Sequence, residues 1–207
     1  MNKVQDQVIL NKKAGVYDLQ QILNGAYFVY RHIVKDLMLN AGDSVLDIGC
    51  GTGTVLRQLQ AKYPGARLHG IDPSKEMVEI ARRKDRTARI DFTVGFAQSL
   101  EFPDRSIDCV ISSLTTHHVS TDIRRQMFRE VKRVLKPGGL FYLTDFHSPS
   151  TPWGRAVLEL FLARHAFIKE LVAVSNTELL MEAGFVIESA VAQQPIGIAQ
   201  HIRARTT

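Results

Sequence analysis

Short apolar runs alternate along this chain with segments whose apolar residues recur at helical spacing. The apolar runs predict strands at 44–48, 68–71, 90–94, 107–112, 139–144, 185–191 and 197–203. The helical periodicity predicts helices at 54–63, 74–84, 122–135 and 176–182, with one or two more within 14–39. This alternation is typical of βαβ units around a parallel sheet. Only a short connection through Pro195 joins the last two strands, so we expect them to pair antiparallel.

The composition is that of a globular protein, with 45% apolar and 23% charged residues in 207. We find no run of the roughly 18 uncharged apolar residues that a membrane span needs, and no signal peptide at the N-terminus. Cys50 and Cys109 lie in apolar runs without a CxxC or Cys/His spacing, which disfavours disulfides and zinc. We therefore expect a cytoplasmic protein with reduced thiols and no metal site.

A glycine-rich loop joins the first predicted strand to the next helix. Residues 45–53 read Val-Leu-Asp-Ile-Gly-Cys-Gly-Thr-Gly. The alternating glycines permit a tight turn and let a ligand approach the backbone, and such a loop lies at the edge of an α/β sheet where ligands bind. The spacing differs from the dinucleotide fingerprint G-x-G-x-x-G, because Thr54 holds its last position, and no P-loop lysine follows.

An acidic residue ends the second predicted strand. Asp72 follows Gly51 by 21 residues and stands at the tip of the strand adjacent in sequence. A carboxylate there can accept hydrogen bonds from both hydroxyls of a ribose. The alternative is that Asp72 only caps the helix that begins near Ser74.

The chain carries five motifs in order, at 45–53, 70–74, 98–104, 107–119 and 135–139. Together they resemble the class I S-adenosylmethionine-dependent methyltransferases, most closely the branch of ubiquinone and menaquinone C-methyltransferases, over roughly residues 14–190. The resemblance implies an α/β fold, a Rossmann-like three-layer sandwich. Its sheet has seven strands, mostly parallel with an antiparallel last strand, under a helical N-terminal cap. It also implies one domain over 1–207, with the cap at 1–40 and a helical insertion at 150–175 over the site.

The resemblance further implies S-adenosyl-L-methionine as cofactor and a set of residues that bind it. Asp47 would lie beneath the glycine loop, Asp72 at the ribose, and Ser113 near the sulfonium. Many relatives have Asp or Asn where this chain has Phe96, which either stacks on adenine or points into the core. With either alternative, Gln98 would take over part of the polar contact. The predicted cofactor-binding residues are Asp47, Gly49, Gly51, Thr52, Asp72, Pro73, Phe96, Ala97, Gln98 and Ser113.

Methyl transfer from a sulfonium is a displacement on an already activated donor, so the protein mainly aligns the acceptor and excludes water. A general base is needed only when the acceptor must lose a proton. His117 is the predicted catalytic residue in that role, although a histidine that only orders its loop is the alternative. Asp145 either has a site role, or closes the strand or pairs locally. The candidates for handling the acceptor are Thr115, Thr116, His117 and His118 after the fourth strand, and Asp145, Phe146 and His147 after the fifth.

Two basic clusters lie at 82–89 and 124–136 in a chain whose net charge is +5. Nucleic-acid binding is one interpretation, but acidic residues are interspersed and we expect both clusters to be solvated helix faces. The predicted function is therefore methyl transfer to a small molecule, with a quinone-like metabolite favoured and no nucleic-acid partner. Peripheral contact with an anionic membrane stays open, as does the oligomeric state. The alternatives are an RNA- or protein-directed methyltransferase and a non-catalytic, cofactor-binding regulatory module.

Overall fold

The computed structural model describes residues 26–147, 149, 151–156, 174–192 and 199–207. The chain divides into two compact units, Met1–Phe96 and Ala97–Thr207. Most of the predicted N-terminal cap and residues 157–173 of the predicted insertion lie outside the described ranges. Within those ranges, no helix has the length and apolar character to cross a membrane.

Seven strands form one mixed sheet, and this confirms the predicted α/β fold class. The strands of the N-terminal unit are β1 (Ser44–Ile48), β2 (Arg67–Asp72) and β3 (Ile90–Val94), and its helices are α1 (Ala26–Asp36), α2 (Thr54–Lys62) and α3 (Lys75–Lys84). The strands of the C-terminal unit are β4 (Ile107–Ser113), β5 (Leu135–Phe146), β6 (Val186–Ala192) and β7 (Ala199–Arg205), and its helices are α4 (Thr121–Val134) and α5 (Asn176–Glu182). The strand order is β3-β2-β1-β4-β5-β7-β6. The pairs β1–β2, β2–β3 and β4–β5 are parallel, whereas β7 runs antiparallel to both β5 and β6.

The N-terminal unit is built around β1, all five residues of which are buried. Helix α2 packs so closely on the strands that two positions admit only glycine. A Cβ on Gly70 would lie 2.8 Å from both Leu56 Cδ1 and Phe92 Cδ1, and one on Gly53 would lie 2.6 Å from Phe92 Cζ. Real Cβ atoms do not approach carbon so closely, so these glycines are required by close packing. They fix the start of α2 directly after the glycine loop.

The C-terminal unit has its core between α4 and the strands β4 and β5. Met127, Phe128, Val131 and Val134 of α4 are fully buried, as the 3.6-residue period predicts. Ser120 caps this helix by accepting a hydrogen bond from the amide of Ile123.

The boundary between α4 and β5 differs from the prediction. We expected Lys136-Pro137-Gly138-Gly139 to separate α4 from a strand that begins at 139, but β5 already begins at Leu135. The chain stays extended there because it pairs with Thr206: the Gly138 amide donates to the Thr206 carbonyl at 3.2 Å, and Thr206 N donates to the Gly139 carbonyl at 3.2 Å. The extra residues make an irregularity in the β4–β5 register.

Candidate functional site

The glycine loop after β1 folds over the end of β2. Its three glycines all have left-handed backbone, with φ of 74°, 52° and 75° at Gly49, Gly51 and Gly53. The amides of Gly49 and Cys50 both donate to the Ile71 carbonyl, at 2.8 and 3.0 Å. Side chains strongly disfavour this backbone conformation, so the alternating glycines are a conformational requirement of the turn.

Asp72 ties the loop to the start of α3. Its Oδ2 accepts from the Gly51 amide at 3.0 Å and its Oδ1 from the Ser74 amide at 2.8 Å. The N-cap of α3 is Ser74, whose Oγ accepts from Met77 N, and Asp72 adds its own hydrogen bond at this helix start. Burial raises the pKa of Asp72, although the two backbone hydrogen bonds lower it. Since a carboxylate has about four acceptor sites, two of them stay available to hydroxyl donors.

Asp47 lies under the same loop, on the buried strand β1. Its side chain is 1% exposed, and its Oδ1 has no hydrogen-bond partner among the described residues. Burial and the nearby charge of Asp72 raise the pKa of Asp47 from 3.8 to about 7. Two buried carboxyl groups at a glycine turn repel phosphates and suit a ligand with hydroxyl and cationic donors. These two acceptors fit an adenosyl ligand, whose ribose hydroxyls and ammonium group are donors.

Asp47→Asn is expected to make the ligand-free protein more stable at neutral pH. The unfolded carboxyl ionises above about pH 4 and the folded one only near 7, so the wild type loses stability as pH rises between these values. The gain in unfolding free energy should therefore grow by a few kcal/mol from about pH 4.5 to about pH 7.5, as one pKa unit is worth about 1.4 kcal/mol. Urea unfolding at both values measures it. A gain independent of pH would contradict the prediction, and Asp91→Asn controls for loss of an exposed negative charge.

The other predicted cofactor residues divide between the two units. Thr52 is buried in the loop, and Pro73 is exposed next to Asp72. Phe96 ends the N-terminal unit and is 43% exposed. Its ring therefore does not point into the core, which was one of the two alternatives for this residue. Ala97 and Gln98 begin the C-terminal unit and are half-buried. Stacking of Phe96 on adenine stays a prediction, as do the cofactor contacts of Ala97 and Gln98.

The carboxyl end of β4 leads into a strained loop in the C-terminal unit. Ser113 is the last residue of β4 and is buried, and its carbonyl accepts from Thr115 Oγ1 at 3.0 Å. Leu114 has a φ of +52°, which is unusual for a residue with a branched side chain. Its amide donates to the Thr144 carbonyl of β5 at 2.8 Å, and this bond holds the strained residue in place. The loop continues as a 3₁₀ turn, Thr116–His118.

His117 and Asp145 form a buried pair at this end of the C-terminal unit. His117 Nδ1 lies 2.7 Å from Asp145 Oδ1, and the imidazole is 8% exposed. The ring also meets Phe146 edge-on, with centroids 4.9 Å apart, and lies 4.0 Å from the ring of His118. Of the seven candidates for acceptor handling, these two therefore contact each other directly. Asp145, at the end of β5, thus contacts the turn after β4, 28 residues away in sequence.

Asp145 is saturated with donors. Its Oδ2 accepts from Thr116 N, Thr116 Oγ1 and His117 N, at 2.6, 2.7 and 3.2 Å, and its Oδ1 also accepts from Phe146 N at 2.8 Å. Burial raises the pKa of Asp145, but the His117 charge and these hydrogen bonds outweigh it and hold the pKa below its ordinary value. An ionised carboxylate only accepts, so the proton between the two side chains is on His117 Nδ1. In the neutral tautomer that carries this proton, Nε2 is the basic nitrogen.

The second basic cluster is not a uniformly solvated face, and this corrects our expectation. Arg124 is completely buried. It donates to the Val174 carbonyl at 2.9 Å and to Asn176 Oδ1 at 3.0 Å. Sequence reasoning missed both Arg124 and Asn176, although a signal for the arginine existed: it precedes Met127, Phe128 and Val131 at helical spacing and so belongs to the apolar face of α4.

Carboxylates neutralise much of the rest of this cluster. Arg125 pairs with Glu182 at 3.2 Å, and Lys136 pairs with Asp108 at 2.7 Å. Arg133 pairs with Glu130 and Asp104 at 2.8 and 2.7 Å. A polyanion would have to displace these pairs, which weakens the case for a nucleic-acid surface on α4.

Comparison with known proteins identifies relatives of this chain, one of which matches almost its whole length. The family model "Methyltransferase domain" matches residues 45–139. The chain is 32% identical over 213 residues to the 2-phytyl-1,4-naphtoquinone methyltransferase of Nostoc punctiforme, covering 99% of this chain and 88% of that protein. It is 35% identical over 146 residues to the demethylmenaquinone methyltransferase of Thermotoga maritima, covering 69% of this chain and 62% of that protein. Some curated relatives are longer: the chain spans 49%, 62% and 47% of the length of three of them.

Solved structures share the fold. A Haloferax volcanii protein in complex with the Trm112 methyltransferase activator superposes with a TM-score of 0.75 at 20% identity, covering 100% of this chain and 99% of that one. At this level of identity the likeness concerns the fold alone.

Proposed function

Because this chain belongs to the family of S-adenosylmethionine-dependent methyltransferases, we propose that it transfers a methyl group from S-adenosylmethionine to a small-molecule acceptor. The observation that supports this proposal best is the pair of buried carboxyl groups, Asp47 and Asp72, under the glycine loop. They favour a ligand that brings hydroxyl and cationic donors over one that brings phosphates. A nicotinamide dinucleotide, with its pyrophosphate, suits this turn less well.

The N-terminal unit supplies the groups that would hold the cofactor. Asp72 would accept from the ribose hydroxyls, and the backbone of Gly49 and Gly51 would line the methionine part. Asp47 would hold the loop from below and accept from a water or from the ammonium group. When bound, the cofactor supplies a methyl group already activated on a positively charged sulfur. The protein therefore contributes orientation and a dry site, and charge on its carboxyl groups stabilises the cation.

We assign acceptor deprotonation to His117. Asp72 and the glycine loop would hold the cofactor, which would supply the methyl group that the acceptor atom receives. The proton that the acceptor loses goes to Nε2 of His117 and from there to water. Asp145 holds the ring in the required tautomer and stabilises the imidazolium that forms.

A hydroquinone-like acceptor fits this assignment best. A phenolic hydroxyl, or the ring carbon next to it, becomes a good nucleophile only when a proton is lost, whereas a free amine at high pH or a thiolate needs no base. Two relatives are named as methyltransferases of demethylmenaquinone and of a phytylnaphthoquinone, which agrees with this class. A non-catalytic, cofactor-binding module is the second candidate, and an assay of turnover separates the two.

The test is transfer of labelled methyl groups to a panel of acceptors. The purified chain is incubated with methyl-labelled S-adenosylmethionine and 1,4-naphthohydroquinone, a fatty acid or phosphoethanolamine, under a reductant that keeps the quinol reduced. We expect label in the quinol and loss of it in His117→Ala, with unchanged cofactor binding by calorimetry. Cofactor binding without label in any acceptor, including a metabolite extract, would favour the regulatory module. Binding of NADH alone would overturn the proposal.

A further inference from the structure

A continuous line of hydrogen bonds leads from Arg124 to the His117–Asp145 pair. Arg124 Nη1 donates to Asn176 Oδ1 at 3.0 Å, and Asn176 Nδ2 donates to Thr116 Oγ1 at 3.0 Å. Thr116 Oγ1 in turn donates to Asp145 Oδ2 at 2.7 Å. All five side chains are less than a tenth exposed. The line joins α4, the start of α5, the 3₁₀ turn and the end of β5.

Every bond in this line points the same way. Each intermediate group accepts from the side of Arg124 and donates towards Asp145, so the group dipoles add and each bond strengthens the next. The line begins at a buried cation and ends on a buried anion. The guanidinium therefore acts on the carboxylate through two neutral side chains, although no direct ion pair joins them among the contacts found in the described residues.

A purely structural role explains this arrangement poorly. Burying a guanidinium costs several kcal/mol even when it is hydrogen-bonded, and an apolar side chain of similar length would pack beside Met127 and Phe128 without that cost. The hydrogen bonds of Arg124 to Val174 O and Thr121 Oγ1 do secure the ends of the segment. They do not require the further connection through Asn176 and Thr116 to the carboxylate of Asp145.

We propose that Arg124, Asn176 and Thr116 are positioning residues that set the basicity of His117 by polarising Asp145. The role rests on the proposed function, in which His117 removes a proton from the acceptor. Donors on Asp145 spread its negative charge, so that its attraction for the proton of the imidazole is weaker. Losing a donor leaves more charge facing His117 and raises its affinity for a proton. The ring of His118 is a further titratable group against His117, with the ring centroids 4.0 Å apart.

The decisive measurement is the pKa of His117 by ¹⁵N NMR on histidine-labelled protein, without cofactor or acceptor. Thr116→Val removes the hydroxyl at constant volume and is expected to raise this pKa by about half a unit to one unit. Asn176→Leu should raise it less, because the Thr116 hydroxyl remains. Thr116→Ser should restore the wild-type value. Thr121→Val, which removes the other side-chain contact of Arg124, is the matched control and should leave it unchanged.

The same variants should shift the pH dependence of catalysis together with the pKa of His117. The acidic limb of the kcat/KM profile is expected to shift upward with the pKa of His117, while KM and the affinity for the cofactor stay unchanged. A pKa of His117 that is the same in wild type and Thr116→Val would overturn the proposal, whatever Asn176→Leu does to folding. If the pKa shifts as expected but no acceptor is methylated, the positioning line stands and the proposed function fails.

Discussion

Asp145→Asn is expected to lower kcat of methyl transfer by about 10²–10⁴-fold, the range that general base catalysis contributes. The carboxylate holds the proton of His117 on Nδ1, at 2.7 Å, and stabilises the imidazolium. An amide removes that charge, and its NH₂ group favours the tautomer with an unprotonated Nδ1, in which Nε2 is no longer basic. Stopped assays at saturating cofactor and acceptor measure the loss, and cofactor affinity should be unchanged.

Two further variants keep this result interpretable. Asp108→Asn removes another carboxylate of the C-terminal unit, one that pairs with Lys136 at 2.7 Å, and should retain kcat. Asp145→Glu keeps the charge at a wrong distance and should fall between wild type and Asp145→Asn. A kcat of Asp145→Asn within about twofold of wild type, in protein shown to be folded, would remove acid–base chemistry from His117.

Asp72→Ala is expected to weaken S-adenosylmethionine binding by about 100-fold or more. Two hydrogen bonds from ribose hydroxyls to a carboxylate are each worth about 1.5–3 kcal/mol, and the variant also releases the Gly51 amide that Asp72 holds at 3.0 Å. Isothermal titration calorimetry with the cofactor and with S-adenosylhomocysteine measures both affinities. Since both ligands carry the ribose, both should weaken alike.

Asp85→Ala is the matched control for Asp72→Ala. Asp85 stands at the opposite end of α3 and likewise accepts from two backbone amides, those of Thr87 and Ile90, at 3.1 and 3.0 Å. Both variants should lower the melting temperature, because each leaves two backbone amides without their acceptor. Only Asp72→Ala should lose affinity for the cofactor. Equal affinities in wild type and Asp72→Ala would take Asp72 out of the binding site.

Local patterns in the sequence were sufficient to predict most of the fold and the glycine loop. A buried strand such as 44–48 is a mostly apolar run. The loop after it is recognised by its alternating glycines, which the left-handed backbone requires. Asp72 was predictable because the tip of the next parallel strand lies beside that loop in any fold of this class. These features depend on neighbours that are close in sequence or fixed by topology.

The chemistry of the C-terminal unit depends on distant neighbours and was only partly predictable. His117 and Asp145 were both candidates, but nothing local to either shows that they meet across 28 residues. Arg124 looked like one more basic residue on a charged helix, and its partner Asn176 lies 52 residues away. The start of β5 was misplaced for the same reason, since Gly138 and Gly139 near its start pair with Thr206, far along the chain.

The contact between Gly53 and Phe92 constrains how this loop can evolve. Alanine at position 53 would place its methyl carbon 2.6 Å from the ring, so a smaller residue at position 92 must come first. Even then, the φ of +75° favours asparagine or aspartate over alanine among non-glycine residues. The effect of a substitution at position 53 should therefore depend on the residue at position 92, and the change at 92 should occur first. We expect residues other than glycine at position 53 only in lineages that have a small residue at position 92.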